Sequence, residues 1–418
     1  MMNYGLIGEK LGHSFSKDVH ARLFDYIYEP CEISRENFDA FMKEKDFKAI
    51  NVTIPYKQMV IPYLDFVDET AKKIGAVNTI VNRDGKLYGY NTDFSGMRAL
   101  ILKNGIDLEN KKVLVLGSGG TSKTAFAVAE SLGAKEVYRV SRSGRDGCIT
   151  YTDAENAHKD AEIIINTTPA GMYPNIDGVA VDVSKFPKLS GVVDAVYNPI
   201  NTRLVCDAKK MGIKAVGGLY MLVSQAVYAA EHFMNTSIET SKIDEIYDEM
   251  LSLKQNIVLI GMPGSGKSTI GKLLSEALGM QFVDTDEVIV KNENKPIPDI
   301  FAEFGEERFR DMESAAVLEV AGLQHTVIAT GGGAVLREKN VQLLSQNGRI
   351  YFIDRPLSSI VATSDRPLSS NREALEKRYN ERYDIYLKSA DVHLKIGDDA
   401  SENAQKIKED FLNENTCN

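Results

Sequence analysis

Residues 256–271 read NIVLIGMPGSGKSTIG, and this stretch decides the fold of the second half of the chain. Its first five residues form an apolar run that ends at a glycine, which predicts a buried strand, and an amphipathic helical pattern begins at Ser268. Between them, Gly261 to Ser268 satisfies G-x-x-x-x-G-K-[ST], in which glycines let backbone N–H groups face a phosphate at a helix N-terminus. We therefore predict an ATP site in which Lys267 reaches the β- and γ-phosphates and Ser268 binds Mg²⁺. The predicted ATP-binding residues of this loop are Gly264, Ser265, Gly266, Lys267, Ser268 and Thr269.

Three motifs after the loop supply groups for a phosphate acceptor. FVDTD ends a predicted strand and brings Asp284 and Asp286 to the crevice, because alternate residues of an extended segment point the same way. One carboxylate suits the metal's hydration shell and the other suits substrate hydroxyls; the simpler interpretation is that both cap the next helix. In IATGGGAV, three glycines, including Gly332, follow another predicted strand. Because glycines have no side chains, a small ligand can approach this backbone closely. Three arginines, each typical of a surface salt bridge when taken alone, complete the set: Arg310, Arg366 and Arg382.

The order of these motifs resembles the shikimate kinase family over residues 256 to about 415. The resemblance implies that Asp286, Arg310, Gly332 and Arg382 bind shikimate, with Lys267 and Asp286 as catalytic residues. It also implies that Ser268 and Asp284 hold Mg²⁺ and that Arg366 is a lid arginine on the ATP phosphates. Two departures concern the adenine side. The arginine expected before the lid is replaced by Val361-Ala362-Thr363, and residues 395–404 read KIGDDASENA, without the usual arginine or proline.

The first 250 residues alternate short apolar runs with helical patterns, which predicts βαβ units and parallel sheets. The run VLVLGSGGT predicts a strand followed by a glycine-rich loop. The predicted cofactor-binding residues of this loop are Gly117, Ser118, Gly119, Gly120 and Thr121. The loop is an imperfect dinucleotide fingerprint, because Ser122 replaces the third glycine of GxGxxG. The next strand ends in SRSGR (141–145), which offers Arg142 and Arg145 where an NAD site would have an acidic residue. Two cations suit a 2′-phosphate, so we predict NADP.

Together with its other motifs, this half resembles the shikimate dehydrogenase family from residue 3 to about 250. The motifs are HSFS (13–16), NVTIPYK (51–57), GAVNT (75–79), NTDFSG (91–96), INTTPAGM (165–172), DAVYNP (194–199) and GGLYMLVSQA (217–226). The resemblance implies that shikimate or dehydroshikimate is bound by Ser14, Ser16, Thr53, Asn78, Tyr197 and Gln225, and that Lys57 and Asp93 are the catalytic pair. It implies NADP(H) on Gly117–Thr121, Ser141 and Arg142, with Gly218 near the nicotinamide.

The residue types of that pair agree with carbonyl reduction. Hydride transfer to a ketone leaves charge on the oxygen, and a lysine ammonium hydrogen-bonded to a carboxylate can supply the proton and take it back in reverse. The sequence does not decide which of Lys57 and Asp93 is formally the acid. The competing interpretation is a surface ion pair.

Length and charge limit the remaining possibilities. A chain of 418 residues predicts two to three domains, and a net charge of −10 argues against a nucleic-acid partner. The N-terminal residues have no signal-peptide pattern and no apolar run reaches membrane-spanning length, so we expect a cytoplasmic protein without a membrane partner. A homo-oligomer stays open.

We therefore predict an α/β architecture. An N-terminal α/β substrate domain covers residues 1–100 with return helices at 218–250, a Rossmann-type NADP domain covers 101–217, and a P-loop parallel α/β domain similar to nucleoside-monophosphate kinases covers 256–418. The expected function is a bifunctional enzyme that reduces 3-dehydroshikimate with NADPH and phosphorylates shikimate with ATP and Mg²⁺. The alternatives are a quinate/shikimate dehydrogenase fused to a small-molecule kinase, a P-loop domain acting on another polyol acid, and a non-catalytic sensor.

Overall fold

The structure is a computed structural model, and it describes residues 3–11, 15–360 and 372–417. The chain divides into two compact units. Unit 1 consists of residues 1–172, 178–198 and 207–247, and unit 2 consists of residues 173–177, 199–206 and 248–418. Within the described residues, no helix combines the length and apolar character needed to cross a membrane.

The strands, in chain order, are β1 (Tyr4–Gly8), β2 (Tyr28–Glu32), β3 (Ala49–Val52), β4 (Phe66–Val67), β5 (Thr79–Arg83), β6 (Lys86–Tyr90), β7 (Lys112–Leu116), β8 (Glu136–Val140), β9 (Ile163–Asn166), β10 (Gly191–Asp194), β11 (Lys214–Val216), β12 (Asn256–Ile260), β13 (Gln281–Asp284), β14 (Thr326–Ala329), β15 (Gly348–Asp354) and β16 (Val392–Lys395). The helices are α1 (Ser16–His20), α2 (Arg35–Glu44), α3 (Glu69–Ile74), α4 (Thr92–Lys103), α5 (Gly120–Ser131), α6 (Tyr151–Ala157), α7 (Arg203–Lys210), α8 (Leu219–Met234), α9 (Thr240–Ser252), α10 (Lys267–Leu278), α11 (Thr285–Glu293), α12 (Ile297–Ala321), α13 (Glu338–Asn347), α14 (Arg372–Ser389) and α15 (Ala400–Cys417).

Unit 1 contains two sheets. The first has the order β2-β1-β3-β5-β6-β4; β1 is parallel to both of its neighbours, and β5 is antiparallel to β3 and β6. All four residues of β3 are buried, as expected for a central strand covered on both faces. The second sheet is parallel with the order β11-β10-β9-β7-β8. Its order reverses beside β7, and ligands of such sheets bind at the carboxyl ends of the strands near that point.

Unit 2 contains one parallel sheet with the order β13-β14-β12-β15-β16. The central strand β12 is buried at all five positions, between helices that cover both faces. The carboxyl ends of β12, β13, β14 and β15 meet at one edge of the sheet, because the strands are parallel. This edge gathers the glycine-rich loop, the DTD motif and the GGG motif. The predicted α/β fold class is confirmed.

Candidate active sites

In unit 1, Lys57 and Asp93 form a close ion pair. Lys57 lies in the loop after β3, and Asp93 lies in the first turn of α4. Lys57 Nζ donates to Asp93 Oδ2 at 2.5 Å, and the two side chains are only 19% and 12% exposed. Asn91 caps α4 by accepting a hydrogen bond from Phe94 N at 3.0 Å, which fixes the turn that carries Asp93. A half-buried ammonium held by a carboxylate is a proton donor in a fixed position.

Asn78 lies next to this pair. Its Oδ1 accepts a hydrogen bond from Thr92 N at 2.7 Å, and its Nδ2 donates to Thr92 Oγ1 at 3.1 Å. The preceding residue, Val77, donates its backbone N–H to the carbonyl of Lys57 at 2.8 Å. Asn78 is buried, and Thr53 is connected to it through Val52, whose N–H donates to the Asn78 carbonyl at 2.8 Å. The structure therefore brings four predicted residues, namely Thr53, Lys57, Asn78 and Asp93, into one cluster.

Gln225 reaches the same region because α4 and α8 pack closely at a glycine. A Cβ built on Gly96 would lie 2.7 Å from the Met221 carbonyl oxygen and 2.9 Å from Gln225 Cβ. Only glycine allows this approach, since both distances are shorter than real Cβ contacts. Gly96 is one helical turn after Asp93, so the α8 segment that carries Gln225 packs against the first turns of α4, and the Gln225 amide donates to the Leu222 carbonyl at 3.0 Å. The NTDFSG motif thus holds a packing residue, Gly96, as well as the predicted catalytic residue Asp93.

The other predicted substrate residues are placed less directly. Ser16 is buried at the start of α1, and Phe15 before it packs edge-on against the Tyr197 ring at 5.9 Å between centroids. Burial raises the pKa of Tyr197, which keeps its hydroxyl protonated and able to donate. Ser14 lies outside the described residues.

The dinucleotide loop follows β7. Gly117 has φ = 121°, and a Cβ on it would lie 2.5 Å from Thr167 Oγ1, so this position requires glycine. Gly119 caps α5, which begins at Gly120, and a Cβ on either glycine would meet no atom within 4 Å. This open backbone at a helix N-terminus fits a pyrophosphate; Ser118 lies on the loop and Thr121 lies in the first turn of α5.

Residues predicted to bind the 2′-phosphate and nicotinamide lie at the ends of other strands of this sheet. Ser141 is buried after β8, and its Oγ accepts a hydrogen bond from Gly144 N at 3.1 Å. The side chains of Arg142 and Arg145 are exposed beside it, and no acidic residue occupies the end of β8. Gly218 caps α8, and a Cβ there would lie 2.4 Å from the Ala195 carbonyl oxygen. The donor set of this loop therefore fits NADP rather than NAD.

In unit 2, hydrogen bonds fix the side chains of Lys267 and Ser268 at the glycine-rich loop. Lys267 is buried and its Nζ donates to the carbonyls of Gly261 and Met262, at 2.9 Å each. Ser268 Oγ donates to Asp284 Oδ2 at 2.6 Å. A hydroxyl and a carboxylate oxygen this close are a donor set that fits Mg²⁺, which keeps most of its ligands as water and phosphate.

The DTD motif differs from the sequence expectation in its backbone. Asp284 ends β13, but Asp286 lies in the first turn of α11 rather than on an extended segment. The interpretation as alternate residues of one strand was therefore wrong, because Asp284 Oδ1 accepts from Asp286 N at 2.9 Å and starts the helix there. Both carboxylates still line the cavity. Desolvation, with Asp284 and Glu313 nearby, raises the pKa of Asp286 to about 6.

Charged side chains lie against the GGG motif, in space that side chains on its glycines would need. A Cβ on Gly331 would lie 2.6 Å from Asp286 Oδ1, and a Cβ on Gly333 would lie 1.9 Å from Arg310 Nη1. The carbonyl of Gly332 accepts a hydrogen bond from Arg382 Nη1 at 3.1 Å. The missing side chains of Gly331 and Gly333 therefore leave room for Asp286 and Arg310, and the Gly332 carbonyl holds Arg382 at the same motif.

These groups line one cavity of about 610 Å³ that also contains Pro263, Gly264, Gly266, Lys267, Ser268, Thr269 and Asp284. Ser265 is buried within the loop. Arg366 lies outside the described residues. Sequence reasoning missed three further charged residues of the cavity: Glu313, Arg355 and Arg378. Glu313 is 1% exposed and accepts from Arg310 Nη1 at 2.8 Å. Its position one helical turn after Arg310 was a usable signal, and Arg378, one turn before Arg382 on α14, had the same signal, whereas Arg355 had none.

Fold and geometry together define an α/β enzyme with two sites, a dinucleotide-dependent site with a lysine–aspartate pair and a P-loop phosphotransferase site. Two family models match the chain: the shikimate dehydrogenase substrate binding domain over residues 6–80, and shikimate kinase over residues 263–412. The shikimate dehydrogenase (NADP(+)) of Clostridium perfringens is 38% identical over 268 residues, which are 60% of this chain and 98% of that relative. That of Clostridium beijerinckii is 39% identical over 259 residues, 58% of this chain and 96% of the relative.

Solved structures agree with this result. A chorismate mutase/shikimate 5-dehydrogenase fusion protein from Clostridium acetobutylicum matches with a TM-score of 0.56 and 38% identity, over 60% of this chain and 96% of that one. The shikimate 5-dehydrogenase of Thermus thermophilus, solved in complex with NADP(H) and shikimate, matches with a TM-score of 0.54 and 28% identity, over 60% of this chain and 99% of that one. The chain belongs to the shikimate dehydrogenase family and carries a shikimate kinase domain after it.

Proposed function

We propose that this chain is a bifunctional enzyme that reduces 3-dehydroshikimate to shikimate with NADPH and then phosphorylates shikimate with ATP and Mg²⁺ to shikimate 3-phosphate. The observation that carries the proposal is the presence of both sites in one chain. The Lys57–Asp93 pair has the chemistry of a carbonyl reductase, and the P-loop cavity holds arginines for a carboxylate beside an aspartate for hydroxyls. The product of the first site is the acceptor of the second.

In the first reaction, the loop at Gly117–Gly120 with Ser141 and Arg142 would hold NADPH, which would supply a hydride for the carbonyl carbon. As the C–H bond forms, the carbonyl oxygen takes the electron pair of the C=O π bond, and Lys57 Nζ donates a proton to it. Asp93, at 2.5 Å from this ammonium, stabilises its charge and orients it. The lysine then regains a proton from water, so that one NADPH and one proton are consumed. In this proposal, the ring hydroxyls are held by Asn78, Thr53 and Gln225.

In the second reaction, a ring hydroxyl of shikimate attacks the γ-phosphorus of ATP, and the bond to the β–γ bridging oxygen breaks. Lys267 neutralises charge on the phosphates, and Asp286 accepts the hydrogen of the attacking hydroxyl. Mg²⁺, held by Ser268 and Asp284, supplies further charge neutralisation. Arg310 and Arg382 bind the carboxylate of shikimate and so fix which hydroxyl faces the phosphate.

The proposed domain boundaries are residues 1–100 with return helices 218–250, residues 101–217, and residues 256–418. They are supported by the sheets, since each proposed domain contains one complete sheet.

The test uses two alanine variants of the full chain, Lys57→Ala and Lys267→Ala, with each reaction assayed separately. Lys57→Ala should lose NADPH-dependent reduction of 3-dehydroshikimate and keep phosphorylation, and Lys267→Ala should do the reverse. The activity that each variant keeps therefore shows that its chain is folded. Quinate with NAD(H) serves as the competing substrate pair. Faster turnover of quinate than of shikimate would contradict the assignment, and so would a wild type without either activity.

A further inference from the structure

Arg355 lies in the kinase cavity at a position that the motifs of the sequence do not explain. It directly follows Asp354, the last residue of β15. Its guanidinium reaches the glycine-rich loop, because a Cβ built on Gly266 would lie 3.8 Å from Arg355 Nη1. The same cavity is lined by Lys267, Ser268 and Thr269. The Arg355 cation therefore lies beside the loop that is predicted to bind phosphate.

The contacts that Arg355 makes within the protein leave part of its hydrogen-bonding capacity unused. Its Nη2 donates to Asp398 Oδ1 at 2.7 Å, but the Asp398 side chain is 80% exposed whereas that of Arg355 is 23% exposed. Ion pairs with such exposed carboxylates contribute little to stability. Arg355 Nε is buried, and no described residue accepts a hydrogen bond from it. The guanidinium is therefore largely desolvated without a strong partner, which is costly unless a ligand completes it.

Arg355 and Asp398 lie in or near the two segments whose sequences depart from the kinase family. Arg355 lies six residues before Val361-Ala362-Thr363, where an adenine-stacking arginine is expected, and Asp398 lies within KIGDDASENA. Arg310 lies against Gly333, on the acceptor side, whereas Arg355 lies against Gly266, on the loop that binds ATP. Of the four described arginines that line the cavity, Arg310 thus lies against the GGG motif and Arg355 against the glycine-rich loop.

We propose that Arg355 is a nucleotide-binding residue of the kinase site, which exchanges Asp398 for the phosphate chain of ATP. The proposal rests on the proposed kinase function. In the nucleotide complex, the guanidinium donates charge-assisted hydrogen bonds to phosphate oxygens, and Asp398 is released to water. Arg355 thereby replaces affinity that the missing adenine-side arginine would have supplied.

The experiment compares Arg355→Ala, Arg355→Lys and Asp398→Asn in the full chain. Loss of a charge-assisted contact predicts that Arg355→Ala raises KM for ATP by about 10- to 100-fold and leaves KM for shikimate within about twofold. Arg355→Lys should recover part of the affinity, because lysine keeps the charge but not the planar fork. Asp398→Asn should leave KM for ATP unchanged or lower it. The dehydrogenase activity of each sample reports that the protein is folded.

Three outcomes would overturn the proposal. One is a KM for ATP within twofold of wild type in Arg355→Ala. The second is a rise in KM for ATP in Asp398→Asn that equals the rise in Arg355→Ala, which would show that the ion pair only supports the fold. The third comes from calorimetric titration with ADP and with inorganic tripolyphosphate: a loss confined to ADP would assign Arg355 to the base instead of the phosphates. These titrations need no turnover, so they decide the role of Arg355 even if wild type fails to phosphorylate shikimate, which would refute the proposed function alone.

Discussion

Replacing Gly333 with alanine should selectively weaken the binding of shikimate. Gly333 has φ = −102° and ψ = −8°, a conformation that alanine adopts without strain, so the added methyl group is the whole perturbation. That carbon would lie 1.9 Å from Arg310 Nη1 and 2.4 Å from its Cζ. Since ordinary contacts are about 3.5 Å or longer, the guanidinium must move by roughly 1.5 Å, which is enough to break a hydrogen bond.

The expected size of the effect follows from the contact that is lost. A hydrogen bond to a charged group contributes about 1.5–3 kcal/mol, which corresponds to a rise of about 10- to 150-fold in KM for shikimate. KM for ATP should stay within about twofold, and the dehydrogenase activity should not change. The assay is steady-state phosphorylation at saturating ATP with shikimate varied.

Gly397→Ala is the matched control, because a Cβ on Gly397 would meet no atom of the described residues within 4 Å. It should leave KM for shikimate unchanged. A Gly333→Ala protein that retains wild-type KM for shikimate would refute the placement of Arg310 on the substrate. A loss of both kinase and dehydrogenase activity would indicate misfolding, and the comparison would then be made with Arg310→Lys.

Three further predictions concern unit 1. Burial lowers the pKa of His20 from 6.5 to about 3, so the unfolded chain binds a proton that the folded state does not as pH falls below 6.5. His20 should therefore lower the free energy of unfolding of wild type by about 2 kcal/mol between pH 7 and pH 5, and His20→Phe should not show this part of the decrease. Urea unfolding at both pH values measures it, and the same dependence of the unfolding free energy on pH in both proteins would contradict the prediction. Gly96→Ala should lower the free energy of unfolding by about 1–3 kcal/mol and reduce dehydrogenase kcat with the kinase unaffected, because the methyl group would lie 2.7 Å from the Met221 carbonyl oxygen. Arg142→Ala should raise KM for NADPH about tenfold and leave KM for NADH within twofold, and equal effects on both cofactors would disprove its role at the 2′-phosphate.

The fold class could be predicted from the sequence because its determinants are local. The apolar run of β12, the glycine-rich loop and the start of α10 are contiguous, and each has a pattern that favours one structure. The same is true of β7 and the loop before α5. Sites assembled at the carboxyl ends of parallel strands then follow from topology.

The contacts between distant segments could not be predicted in this way. Nothing local in residues 348–360 indicates that Arg355 lies against Gly266, 89 positions earlier in the chain. The glycines of the GGG motif were interpreted as bare backbone for a ligand, whereas the structure shows that Arg310 and Asp286 occupy the space of their missing side chains. Asp286 was expected on an extended segment, and the competing interpretation, in which the aspartates cap the next helix, holds for Asp284. Ser14 and Arg366 stay sequence predictions.

The most direct test of the account is a single reaction mixture containing the purified chain, 3-dehydroshikimate, NADPH, ATP and Mg²⁺. Phosphorus NMR follows shikimate 3-phosphate while absorbance follows NADPH. The account predicts that shikimate 3-phosphate accumulates to one equivalent per NADPH oxidised, and that omitting NADPH abolishes it. Oxidation of NADPH without phosphate ester, or no reaction with either cofactor, would contradict the claim that the product of one site is the substrate of the other.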